Sequence, residues 1–211
     1  MRFSKFFSKQ AKKPSGLYGR FRMSKIFDKG NLEMNTYAKQ ILDINPEDNI
    51  LEIGCGTGML IKEISRELET GVIDGIDFSK TMVSIAIKNN RSNIKNGKVH
   101  IHNADFDKFP FQENIYDKII SINTIYFWEN PDFTISKILK LLKPNGKLVI
   151  GFHIKEDMNK MDLDNSIFRL YTKEEVVILL GDTGKLENIT IETKDSCSKC
   201  ICCAIGERNK K

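Results

Sequence analysis

Along the chain, apolar side chains alternate between a spacing near 3.6 and short runs or every-second positions. Tyr37, Ala38, Ile41 and Leu42 share the buried face of a helix. Pro46-Glu47-Asp48-Asn49 is a turn, after which Ile50-Leu51-Glu52-Ile53 predicts a short buried strand. Leu60, Ile61, Ile64 and Leu68 predict a helix, and Val72 to Ile76 a strand. Ser79 is placed to cap a helix carrying Met82, Val83 and Ala86. Val99 to His102 alternates like a strand, and Lys118 to Ile122 predicts another.

Asn130-Pro131 opens a helix, with proline at its first position, expected to bury Phe133, Ile135, Ile138, Leu141 and Leu142. Pro144-Asn145-Gly146 turns the chain into a strand over Lys147 to Phe152. Thr172 and Glu175 form a capping box ahead of Val176, Val177, Leu179 and Leu180, with Gly181 as the expected stop. Two β-like segments follow, Asn188 to Thr193 and Lys199 to Ile205, joined by a link short enough for a hairpin. The fold class is therefore α/β: doubly wound, with a mostly parallel seven-stranded sheet and an antiparallel last strand. Ligands of such sheets bind beyond the carboxyl ends of the strands, so functional residues are expected just after Ile53, Ile76, His102, Ile122 and Phe152.

Length and charge refine the organisation. The 211 residues suit one such domain, and no apolar run approaches a bilayer span. Of the net +5, residues 1–29 hold nine basic side chains against Asp28 alone, giving +8 and leaving −3 for the remaining 182. The chain thus divides into a basic arm, 1–29, expected to be solvated and partly disordered, and a domain, 30–211. Phe3, Phe6 and Phe7 interleave with the arm's charges, a composition suited to peripheral contact with an anionic membrane. With neither an apolar leader nor an even cysteine count, a cytoplasmic location is expected.

Candidate chemistry begins at Glu52-Ile53-Gly54-Cys55-Gly56-Thr57-Gly58. A dinucleotide fingerprint would place its third glycine at position 59, whereas here it stands at Gly58. Glu52, one residue before the strand's end, is unsuited to a pyrophosphate and suited to a cationic ligand. The segment resembles motif I of class I S-adenosylmethionine-dependent methyltransferases, and the order of later segments is similar to that family over roughly residues 40 to 206. The resemblance implies a Rossmann-like fold with S-adenosylmethionine as cofactor, its methionine portion over Gly54, Gly56 and Gly58 and beside Glu52. It further implies that Asp77 accepts the ribose hydroxyls and that Phe78 and Met82 contact adenine. Asp105 would accept the adenine amino hydrogens, with Phe106 packing on the ring. Asn123 would meet the cofactor beside the transferring methyl group, with Tyr126, Phe127 and Trp128 as an aromatic wall. N-terminal elements cover the pocket in similar enzymes, which makes Tyr18 a lid candidate.

For the acceptor the residues say less. His153, just beyond the fifth strand, is the candidate general base. A small-molecule acceptor is expected. Asn123-Thr124-Ile125-Tyr126 departs from N-P-P-Y and D-P-P-Y, so no nucleic-acid partner is expected. Cys197, Cys200, Cys202 and Cys203 have a partly ligand-like spacing, but the terminal strand also accounts for them as small buried hydrophobes, and no metal is assigned. Two alternatives share these elements: an NAD(P)-dependent oxidoreductase, and a protein that binds S-adenosylmethionine without transferring its methyl group.

Overall fold

The computed structural model describes residues 2–196 and 199–210. The basic arm is helical rather than a solvated tail. It forms α1 (Arg2–Lys12), α2 (Gly16–Tyr18), a π-helical turn (Gly19–Met23) and α3 (Ser24–Gly30). Apart from the fully buried Met23, its inward positions are mostly small or polar: Ser4, Ser8, Gly19 and Ser24 are buried. Ser4 and Ser8 tie α1 to Asp162 and Asp164 by hydrogen bonds of 2.9 and 3.0 Å. An apolar stripe is replaced by close approach and polar ties, so apolar periodicity carries no sign of this layer.

After α4 (Leu32–Leu42), β1 (Ile50–Ile53) leads into α5 (Met59–Ile64), and β2 (Ile73–Asp77) into α6 (Lys80–Asn89) and α7 (Arg91–Lys95). β3 (Val99–Asn103) and β4 (Tyr116–Ile122) precede α8 (Pro131–Leu141) and the long β5 (Leu142–His153). α9 (Lys155–Met158), α10 (Lys173–Gly181), β6 (Leu186–Asp195) and β7 (Cys200–Arg208) complete the chain. The seven strands lie in the order β3-β2-β1-β4-β5-β7-β6. All pairings are parallel except those of β7, which runs antiparallel to β5 and β6.

Alternate strand residues feed two cores. Leu51, Ile119 and Leu148 pack toward α8 and α10, whereas Ile50, Ile120 and Val149 pack toward α4 and α5. Cys202 and Cys203 fall on opposite sides of β7, each fully buried in a different core. Cys197 lies outside the described residues.

The three expected caps form. Met82 N donates to Ser79 Oγ, Phe133 N to Asn130 Oδ1, and Thr172 with Glu175 closes a reciprocal capping box. Two local expectations fail. Phe133 is exposed, because α8 turns Thr134, Ile135 and Ile138 inward, Thr134 donating to the Asp107 carboxylate. Gly181 remains within α10, and the left-handed residue of that turn is Gly184.

Candidate active site

β1 and β4 are neighbours whose connections leave in opposite senses, so a crevice opens beyond their carboxyl ends. A cavity of about 380 Å³ occupies it, reached by residues following β1, β2, β3, β4 and β5. The glycine loop forms one wall. All three of its glycines have positive φ, but the space around them differs. A Cβ on Gly54 would come within 2.3 Å of Thr124 Cγ2, and one on Gly58 within 2.9 Å of Ala86 Cβ. On Gly56 it would meet nothing within 4 Å. Gly54 and Gly58 therefore serve packing between elements, and Gly56 leaves free space at the cavity wall. Gly58 itself does not border the cavity.

Two of the carboxylates that line this space, Glu52 and Asp77, are buried and form no ion pair among the described residues. Asp77 accepts the Gly56 N–H on Oδ2 at 3.0 Å and the Ser79 N–H on Oδ1 at 2.7 Å. Burial raises its pKa to about 6, against those amides and the charge of Lys13. Glu52 is 4% exposed, and its Oε2 has no hydrogen-bond partner. Burial, reinforced by the nearby Asp77, pushes its carboxyl well above the usual range. An orphaned buried carboxylate oxygen at the wall of a free space is a demand for a cation or donor.

Phe78, Met82, Asp105 and Phe106 line the neighbouring wall. Met82 is wholly buried, Phe106 nearly so, and Asp105 exposed beside Lys108 at 3.4 Å. Lys13 sits 5.1 Å above the Phe78 ring. Asn123 stands at the end of β4 with φ +54. Its side chain accepts from the Tyr126 hydroxyl at 3.2 Å and donates to Asn31 Oδ1 at 3.0 Å.

The far end of the cavity is built around His153. Tyr126 holds the His153 backbone, its hydroxyl accepting from the N–H at 2.6 Å. The His153 Nδ1 lies 3.0 Å from the Cys200 carbonyl oxygen. A carbonyl only accepts, so Nδ1 carries the proton and Nε2 keeps its lone pair. Burial lowers the imidazole pKa, which favours this neutral form. Phe127, Trp128, Met158, Met161, Leu163 and Phe168 supply an apolar wall.

The structure thus gathers every candidate except Gly58 and Tyr18 at one cavity. It also adds residues that the sequence pattern passes over. Asp28 accepts from the Thr57 hydroxyl, the Ser79 hydroxyl donates to the Pro14 carbonyl, and Phe7 and Ala11 complete the wall. Tyr18 does not border the cavity, its ring lying 4.9 Å from Phe6 instead. The single acid within an otherwise basic arm was the one available signal for Asp28.

Residues 44–209 match the family of the methyltransferase domain. The chain belongs to that family, as a class I S-adenosylmethionine-dependent methyltransferase. An uncharacterized methyltransferase of Bacillus subtilis, YdaC, is 29% identical over 126 residues, 60% of this methyltransferase and 67% of that protein. A putative methyltransferase of the same organism, YrhH, is 29% identical over 157 residues, covering 73% and 84%. A malonyl-[acyl-carrier protein] O-methyltransferase of Halalkalibacterium halodurans is 35% identical over 106 residues, covering 48% and 38%. Among solved structures, a SAM-dependent methyltransferase from Aquifex aeolicus superposes with a TM-score of 0.72 at 20% identity, covering 89% of this chain and 97% of that one. Phosphoethanolamine N-methyltransferase 2 of Haemonchus contortus gives 0.74 at 15%, covering 92% and 58%. Both likenesses concern the fold.

Proposed function

We propose that this methyltransferase acts on a small, largely apolar acceptor held between His153 and the Met158–Phe168 wall. The observation that carries this reading is the continuity of one cavity from the unpaired Glu52 and Asp77 to the neutral imidazole and its apolar surroundings. S-adenosylmethionine supplies an activated, cationic methyl donor. The residues present suit it. Glu52 and Asp77 offer negative charge and acceptors, Gly56 leaves room, and Phe78, Met82 and Phe106 offer flat apolar surface beside the Asp105 carboxylate. Gly54, Gly58 and Asn123 position this set, the first two by packing and Asn123 by bracing Tyr126.

Methyl transfer is an in-line displacement, so the chain's main task is orientation, worth up to roughly 7–11 kcal/mol for well-aligned reactants. His153 Nε2 is free to take the proton of a hydroxyl, thiol or ammonium acceptor. Residues 30–211 make the catalytic domain on this reading, and residues 1–29 close part of its cavity. A relative named for phosphoethanolamine methylation lends support to an acceptor of modest size.

Calorimetric titration with S-adenosylhomocysteine and with NAD tests the cofactor assignment; binding of NAD alone would sink it. Asp77→Ala is expected to weaken S-adenosylhomocysteine by more than about 1 kcal/mol, and unchanged affinity would remove Asp77 from the site. Isotope-labelled methyl donor, incubated with fractionated extract, should label small molecules. Label recovered solely in protein or nucleic acid would overturn the acceptor class.

A further inference from the structure

Large apolar side chains are concentrated on the outer surface of the α1–α3 layer and the start of α4. Phe6, Leu17, Phe21, Ile26 and Leu32 are all exposed there, Leu17 by 76% and Phe21 by 60%. Buried Gly19, Met23 and Ser24 fix the inward side of the helical run 16–30. Its outer positions accordingly read Leu17, Arg20, Phe21, Arg22, Lys25 and Lys29, all exposed, with Ile26 at the rim of the cavity. Lys5 and Lys9 are exposed on the neighbouring α1, and the Phe6 and Tyr18 rings, 4.9 Å apart, join the two.

Charge sharpens the picture. The only acid in this stretch, Asp28, is half-buried and engaged by Thr57 beneath the layer. The outward surface is therefore cationic with apolar side chains set among the charges. Solvation alone suits the lysines and arginines but leaves the exposed Leu, Ile and Phe rings costly in water. Nucleic acid would satisfy the charges and not the aliphatic side chains. An anionic bilayer satisfies both, with headgroups meeting the basic residues and acyl chains the apolar ones.

We propose that the outer face of residues 5–32 docks on an anionic lipid surface. Docking is peripheral: among the described residues no helix is long and apolar enough to cross a membrane. The inner side of the same layer supplies Phe7, Ala11, Pro14 and Asp28 to the cavity wall, so docking sets the active site directly against the lipid.

The test is co-sedimentation of the full chain with vesicles of pure phosphatidylcholine and of phosphatidylcholine mixed with phosphatidylglycerol. Binding is expected to the anionic vesicles, weakening as salt rises. The Leu17→Ser/Phe21→Ser and Arg20→Glu/Arg22→Glu pairs should each lower it roughly tenfold or more. None of these four side chains borders the cavity, so S-adenosylhomocysteine affinity and the thermal midpoint should stay unchanged and report an intact fold. The proposal fails if wild type ignores anionic vesicles, if it binds neutral vesicles equally well, or if the apolar pair leaves binding intact. Tighter binding to duplex RNA or DNA than to vesicles would also overturn it.

Discussion

Glu52 carries a buried carboxylate oxygen that no donor reaches, near a second buried acid, Asp77, at the end of the neighbouring strand. Its raised pKa means that the folded apoprotein favours the neutral acid. Its contribution to stability is therefore greatest below the ordinary carboxylate pKa and is lost as pH rises through the raised value. Glu52→Gln should consequently stabilise the apoprotein at about pH 8 by ~1–3 kcal/mol, with the gain vanishing near pH 4, while weakening cofactor binding. Melting curves at both pH values check this, and a destabilised variant at high pH would mean that the carboxylate is satisfied. His153 is argued from the opposite direction. Its lowered pKa keeps the base active until the pH drops below about 6.5, so the acid limb of the pH–rate profile should lie there. His153→Ala should reduce kcat by roughly 10²–10⁴ with little change in S-adenosylhomocysteine affinity. An unchanged kcat would show an acceptor that needs no base.

At the scale of elements, Ser79 serves two at once: it caps α6 through Met82 and donates to Pro14 at the end of α1. Ser79→Ala should cost about 1–2 kcal/mol in chemical denaturation, more than a solvent-facing cap would. A loss near zero would mean that the Pro14 contact is replaced by solvent. That cap was readable beforehand because a serine before an apolar periodic run has one strong local use. The strands were readable for a similar reason, since continuous apolar runs bounded by turns leave few alternatives. The helices over residues 2–30 were not. Their inward side is mostly small or polar, Ser4, Ser8, Gly19 and Ser24 beside Met23, while Phe6, Leu17 and Phe21 point outward, a pattern far from the apolar stripe by which a packed helix is recognised. Phe133 misled in the other direction, its position in α8 lying one step from the buried face that Thr134 occupies. Of the site, the strand-end residues followed from topology. Asn31 and Asp28 did not, since each reaches the cavity from an element with no signal of its own.

Over the whole molecule, a sheet that fixes the reactive end of the cavity is closed by a layer attached at few places. Asp28 holds Thr57, Pro14 holds Ser79, and Asn31 holds Asn123. These ties join the layer to three different strand ends. Ser4 and Ser8 add ties to Asp162 and Asp164, so parting the layer from the sheet would break a handful of hydrogen bonds and leave the sheet intact. The expected consequence is a clock as well as a site, with the residence time of the spent cofactor tracking how long those ties survive. Thr57→Val keeps the side chain's shape and removes its donor, and should speed S-adenosylhomocysteine dissociation in stopped-flow by several-fold with little change in association. If dissociation limits turnover, the same variant will turn over faster than the natural enzyme at saturating substrate, while spending more of each cycle empty.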